Sequence, residues 1–296
     1  MPNLFRPVTT VLELLRWSNC IMAGFAALVG TLIAFLALPD SIHVQLVYEP
    51  ALVFSVVFLV TGAGNVINDY FDHKIDSINR PDRPIPSGRI KRKTALYIAI
   101  SLFVVGILLS SLLGLICLFL AAFNSLLLIF YASRFKRMAL IGNLVVGCLA
   151  GSTFLFGGAL EIFNYMGIRS NVVLFLLAIL VTMAREIVKD IQDMEGDSKA
   201  GAITLPIIVG KDFSARLAAV LGLTGVILSP IPLLLNDTFG VLYLVIIFVA
   251  DLLLLLSIDE IILKHNSKKS SRLLKIAMFV ALIAFVAGTI PLNNMF

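Results

Sequence analysis

The chain has 296 residues, 59% of them hydrophobic and 14% charged, with a mean hydropathy of +1.02. Charged residues make up about a quarter of an ordinary soluble domain, so the composition excludes one and indicates a polytopic all-α membrane protein. The net charge of +5 calls for no nucleic-acid partner, because a basic balance in such a chain follows from topology and attraction to anionic lipid.

A helix must run about 20 residues to cross roughly 30 Å of hydrocarbon. Apolar stretches of that length occur near 17–38, 50–68, 139–160, 217–235, 238–258 and 273–292. The run 94–133 has no charge and divides at Ser110-Ser111-Leu-Leu-Gly114 into two helices joined by a tight turn. One more helix starts near 170 and reaches its polar end near Asp190, which makes nine spans. Short loops rich in Lys and Arg stay in the cytoplasm, and 22 of the 23 cations fall on one side of this arrangement, Arg169 alone on the other. The N-terminus is therefore expected inside and the C-terminus outside. No secretory cleavage pattern is seen, and the first apolar run is too long for a signal peptide.

Arg16 and Asn19 open the first span, as candidate ligands of an anionic substrate. The second span ends in NVINDYFDHKID, where Asn65, Asn68, Asp69, Asp72 and Asp76 fall within roughly 100° of helical arc. Carboxylates crowded into such a stripe repel one another unless a cation sits between them, and a divalent metal supplies it. Next comes SINRPDRPIPSGRIKRK, whose Pro81, Pro84 and Pro86 forbid a continuous helix. Arg80, Arg83 and Arg89 could offer bidentate forks to phosphate oxygens there, while Lys91, Arg92 and Lys93 read as membrane anchors. The fourth span closes with YASRFKR, which brings Tyr131 and Lys136 to the same side.

The sixth span ends in AREIVKDIQDMEGD. Its Asp190, Asp193 and Asp197 repeat the D-x-x-D-x-x-x-D spacing of Asp69, Asp72 and Asp76, 121 residues further on. The repeat suggests two related halves, about 10–135 and 136–265, whose equivalent helices confront each other across a pocket, with a ninth helix added. Mg²⁺ keeps several waters and favours one or two carboxylates plus phosphate oxygens, so two facing acidic clusters with Mg²⁺ suit a diphosphate. Arg185 and Glu186 lie closer to the bilayer interior, where charge is costly and usually functional, and Lys189 joins them as a substrate-binding candidate. Cys20, Cys117 and Cys148 lie in apolar spans without zinc spacing, and His43, His73 and His265 are scattered. No Walker loop, nucleophile elbow or dinucleotide fingerprint is present. The glycines of GCLAGSTFLFGG read as close helix contacts.

On these motifs, N-D-x-x-D-x-x-x-D followed by NRPDRPIPSG, the second D-x-x-D-x-x-x-D and YASRFKR, the chain resembles the UbiA superfamily of intramembrane prenyltransferases along its whole length. The loop NDYFDHKIDSINRPDRPIPSGRI is most similar to the archaeal branch that forms digeranylgeranylglyceryl phosphate. The resemblance implies one domain over 1–296, nine helices around a central lipid-open cavity and an active site at the cytoplasmic face of the cell membrane. It further implies that Asn68, Asp72, Asp76, Asp193 and Asp197 hold Mg²⁺ on a prenyl diphosphate, supported by Asp69 and Asp190, with Arg80 and Lys136 on the diphosphate. The expected reaction moves a geranylgeranyl group onto a lipid-phosphate acceptor. An aromatic acceptor of quinone biosynthesis is the alternative within the family, and a secondary transporter the alternative outside it.

Overall fold

The computed structural model describes residues 6–38, 46–199, 201–235 and 239–290. His43 and the outer ends of the expected spans 238–258 and 273–292 lie outside the described residues. Twelve α-helices follow in chain order among the described residues: α1 (Arg6–Leu15), α2 (Trp17–Leu36), α3 (Glu49–Asn79), α4 (Arg92–Ser110), α5 (Leu115–Ser133), α6 (Ile141–Gly158), α7 (Asn164–Lys199), α8 (Leu205–Val209), α9 (Lys211–Leu228), α10 (Ile231–Leu235), α11 (Val241–Ile262) and α12 (Ser267–Ala287). Among the described residues nine segments are long and apolar enough to cross a membrane, carried by α2, α3, α4, α5, α6, α7, α9 with α10, α11 and α12. The protein is an integral membrane protein, and its regular structure among the described residues is helical apart from one isolated parallel bridge between Met138 and Ile203.

Several boundaries differ from the sequence expectation for identifiable reasons. The ten-residue helix α1 is too short to span and is marked off from α2 by Arg16, whose φ of 52° breaks the helical path. The sixth span starts at Asn164 rather than near 170. The seventh is interrupted after Leu228 at Ser229-Pro230, because proline cannot donate to the helical ladder. The apolar stretches 238–258 and 273–292 each carry one charge, Asp251 and Lys275. Gly114, at φ 118°, makes the turn between α4 and α5 that only glycine adopts readily.

Packing closes the helices into a ring. One apolar core runs through α1 to α6, with Leu14, Val53, Val66, Phe103 and Phe156. A second joins α2 and α6 to α7, α11 and α12 through Ile33, Phe154, Leu174, Tyr243 and Phe285, and a third ties α7 to α8, α9, α11 and α12 through Ile187, Leu205, Ala218, Leu254 and Leu274. The glycines of α6 permit this closeness: a methyl group on Gly151 would lie 2.6 Å from the Phe175 carbonyl oxygen. Phe119, Phe123, Ile227 and Phe248 remain outward and exposed, as a lipid-facing surface requires.

Candidate active site

The helix carrying the first acidic cluster, α3, has 31 residues and α7 has 36. At about 1.5 Å per residue each exceeds the roughly 30 Å hydrocarbon slab. Their last turns overhang the apolar segment, and both acidic clusters lie on those overhangs. Carboxylates at a helix C-terminus face the negative end of the helix dipole, so each cluster needs positive charge from elsewhere.

The two ends converge on one cavity of ≈ 860 Å³. Its walls include Asn68, Asp72 and Asp76 of α3 and Asp190, Asp193 and Asp197 of α7. Arg16, Asn19, Arg80, Arg83, Tyr131, Lys136, Arg185 and Lys189 line it as well, so the cavity brings together the sequence-predicted site residues except Asp69 and Arg89. Arg89 binds Glu13 instead, and Asp69 accepts from Arg16 Nη2 at 2.5 Å and Arg83 Nη1 at 3.1 Å. Asp69, expected to support the metal, is thus ion-paired to two arginines in this structure. Asn68, Asp72 and Asp76 are spaced i, i+4, i+8 and share a ridge, and Asp69 projects only about 20° from Asp76, so its two arginine partners rather than helical periodicity set it apart.

Cations hold the first cluster in place. Arg83 Nη1 also donates to Asp76 Oδ2 at 2.6 Å, and Lys136 Nζ donates to Asp72 Oδ2. Arg16 reaches Asp69 from the left-handed break between α1 and α2, a conformation that costs a non-glycine residue free energy and persists where contacts over-determine it. The proline-rich loop that carries Arg83 is tied down in turn by Arg89, which grips Glu13 of α1 through two bonds of 2.6 and 2.8 Å. This ion pair holds the Glu13 carboxyl below the ordinary glutamate range.

The second cluster is held less tightly. Asp190 accepts from Asn143 Nδ2 at 2.8 Å, and Glu186 accepts from Arg185 at 2.9 Å and Lys189 at 2.7 Å. The side chains of Asp193 and Asp197 have no hydrogen bond or ion pair among the described residues. Asp197 lies within Coulombic reach of both Asp72 and Lys136, so the two clusters do face each other. Beside them, the loop after α5 and the loop after α7 are joined by the Ile203 N–H donating to the Arg137 carbonyl at 3.1 Å.

No group of three His, Cys, Asp or Glu side chains converges tightly enough to hold a metal ion among the described residues. The donor set nevertheless fits a hard divalent cation: it is all oxygen, it faces a polar cavity, and Asn68 Oδ1 is buried without a partner among the described residues. Thr204 Oγ1, on the cavity wall, is likewise buried and has no partner among them. Sequence reasoning passed over Asn143, Arg137, Thr204 and Lys275, all of which line the cavity. A lone polar residue inside an apolar span is the signal that finds Asn143 and Lys275. Deeper in, the walls turn apolar, with Val56, Val60, Ala121, Leu128 and Phe156.

A membrane-embedded helical ring with cations and carboxylates at one end of an apolar cavity defines an intramembrane enzyme acting on a lipid-like anion. Residues 23–283 match the UbiA prenyltransferase family, and the chain belongs to that family as a prenyltransferase. It is 53% identical over 287 residues to the digeranylgeranylglyceryl phosphate synthase of Methanosarcina mazei, covering 95% of this chain and 98% of the relative. The enzyme of the same name from Methanocaldococcus jannaschii is 42% identical over 286 residues, covering 96% and 97%. A solved structure of a digeranylgeranylglyceryl phosphate synthase superposes with a TM-score of 0.76 at 41% identity, over 95% of this chain and 98% of that one. A UbiA homologue of Archaeoglobus fulgidus bound to GPP and Mg²⁺ shares the fold, with a TM-score of 0.68 at 16% identity over 94% and 98%.

Proposed function

We propose that the protein transfers a geranylgeranyl group from geranylgeranyl diphosphate to the glycerol hydroxyl of geranylgeranylglyceryl phosphate, forming the second ether of an archaeal membrane lipid and releasing diphosphate. The observation that carries this is the single cavity in which the α3 carboxylates face those of α7 beside Lys136, Arg80 and Arg83, above an apolar depth suited to an isoprenoid chain. The similarity to digeranylgeranylglyceryl phosphate synthases supports the choice of acceptor.

Asn68, Asp72, Asp76, Asp193 and Asp197 would hold Mg²⁺, with Asp190 beside them. When bound, the metal supplies neutralisation of the charge that grows on the leaving diphosphate. The residues of this chain do the rest. Lys136 and Arg83 are held at the cavity by Asp72 and Asp76, and from there their N–H groups reach diphosphate oxygens. Arg80, which has no side-chain partner among the described residues, adds a fork from the loop. Donors fixed before the reaction stabilise developing charge without reorganising. As the allylic C–O bond breaks, its electron pair leaves with the diphosphate; the acceptor hydroxyl oxygen bonds to the allylic carbon, and its proton passes to a cavity carboxylate. The apolar wall and the two joined loops exclude water that would capture the allylic cation.

In this reading the cavity's charged end faces the cytoplasm, since loops rich in Lys and Arg stay there. The chain is one domain of two related halves, about 10–135 and 136–265, plus α12, because α3 and α7 each follow a shorter helix and end in the same spacing of aspartates. The test is to incubate membranes containing the protein with labelled geranylgeranyl diphosphate and either geranylgeranylglyceryl phosphate or an aromatic acceptor, with and without Mg²⁺. A Mg²⁺-dependent ether-lipid product is expected; an aromatic product, or none, would overturn the assignment.

A further inference from the structure

The cations of the cavity are mostly committed. Arg16 and Arg83 bind Asp69, Arg83 also binds Asp76, Lys136 binds Asp72, and Arg185 and Lys189 both bind Glu186. Three cavity-lining cations have no ion pair or side-chain hydrogen bond among the described residues: Arg80, Arg137 and Lys275. Arg80 and Arg137 belong to loops on the side of α3 and α5. Lys275 differs, because it stands within the membrane-spanning segment of α12, where an unpaired ammonium is costly and calls for a function.

Met278 and Leu282, three and seven residues beyond Lys275, line the same cavity, so one face of α12 leads from a cation into apolar depth over roughly 10 Å. Behind that face lies a second, apolar pocket of ≈ 110 Å³, whose wall shares Phe154, Ala178, Met278 and Leu282 with the main cavity. On the facing helix α7, Ala178 lies on the shared wall and Arg185 at the charged end, with Arg185 Nε buried and without a partner among the described residues. Arg185, Lys189 and Lys275 outnumber the neighbouring carboxylates of Glu186 and Asp190 on the cavity wall by one, a surplus of positive charge that favours an anionic headgroup such as a phosphate monoester.

We propose that the groove between α7 and α12 is the acceptor's subsite: Lys275, with Arg185 Nε, takes the phosphate of a single-chain isoprenoid lipid phosphate, and Met278, Leu282 and the small pocket take its tail. This rests on the reading that the acceptor is a lipid phosphate. It separates the two anions of the reaction, with the donor's diphosphate on the α3 side and the acceptor's phosphate on the α12 side. Lys275 is then a specificity residue for the acceptor.

The test uses the full chain reconstituted in liposomes with Mg²⁺ and saturating geranylgeranyl diphosphate, comparing geranylgeranylglyceryl phosphate with its phosphate-free counterpart, geranylgeranylglycerol. Lys275→Gln should raise KM for the phosphorylated acceptor about tenfold or more, the size of one lost charge-assisted contact, while donor KM stays within about twofold. Lys275→Arg should restore most of the loss, and geranylgeranylglycerol should not distinguish wild type from Lys275→Gln. Leu282→Trp should raise KM for both acceptors, since it narrows the tail path. An unchanged acceptor KM in Lys275→Gln, or an equal rise in donor KM, would overturn the subsite alone. Absence of wild-type turnover with either acceptor would overturn the acceptor reading and the subsite with it.

Discussion

The ends of α3 and α7 carry aspartates at the same spacing, yet the two clusters are built differently. On α3, Asp69, Asp72 and Asp76 are only 3%, 5% and 6% exposed, and each accepts from an arginine or a lysine. On α7, Asp193 is exposed and Asp197 half-buried, and neither side chain has a partner among the described residues. Buried carboxylates must be paired, because an isolated buried charge costs far more than an exposed one. One half of the site is thus preorganised and the other left open. The first cluster is positioned by protein cations, and the second offers free oxygens to whatever positive charge arrives with the substrate.

Five substitutions probe that contrast. The largest effect is expected from Asp72→Ala and Asp193→Ala, each costing about 10³-fold or more in turnover, read as diphosphate release, while the protein still inserts and purifies. Retained activity in both variants would sink the clamp. Asp69→Asn should act through Arg16 and Arg83 and cost less, about 10- to 100-fold. It should also lower the melting temperature in detergent, because it strips a partner from a mostly buried pair; an Asp69→Asn protein as dead as Asp72→Ala would return Asp69 to the metal.

Asn143→Ala comes next, at about 1–3 kcal/mol of lost positioning for Asp190, visible as a raised Mg²⁺ requirement at unchanged donor KM. The smallest is Glu13→Gln, which removes an exposed pair worth about 0.2–1 kcal/mol. Its pH signature has a defined sign. Arg89 depresses the Glu13 carboxyl in the folded protein, so the pair's stabilisation is present above the unfolded glutamate value of about 4.3 and is lost as pH falls through the lower folded value. Thermal melts from pH 7 to 3 should show the Glu13→Gln difference fading only at the acid end.

Much of this architecture can be read from the amino-acid order. Nine long apolar runs, and the proline loop after α3, need only local composition to be recognised. The ridge of Asn68, Asp72 and Asp76 follows from helical periodicity alone. The fate of Asp69 does not, because its partners Arg16 and Arg83 stand 53 and 14 residues away in sequence and meet it only when α1, α3 and the loop pack together. The ten residues of α1 escape a search for spans because they are too few to cross. Asp251 and Lys275 hide inside runs whose average is strongly apolar. In the structure Asp251 accepts from Ser229 Oγ at 2.7 Å, which satisfies it, whereas Lys275 has no such partner among the described residues and so becomes informative.

The claim that the two clusters form one clamp is tested most directly by thermal stabilisation of the purified protein by geranylgeranyl diphosphate, measured with and without Mg²⁺. A ligand present at about 100 times its Kd stabilises the folded state by about 2.7 kcal/mol. Wild type should gain stability on that scale only when Mg²⁺ is present, and both Asp72→Ala and Asp193→Ala should lose the gain. Full Mg²⁺-dependent stabilisation in either variant would contradict the clamp, since one cluster would then be holding the diphosphate without the other.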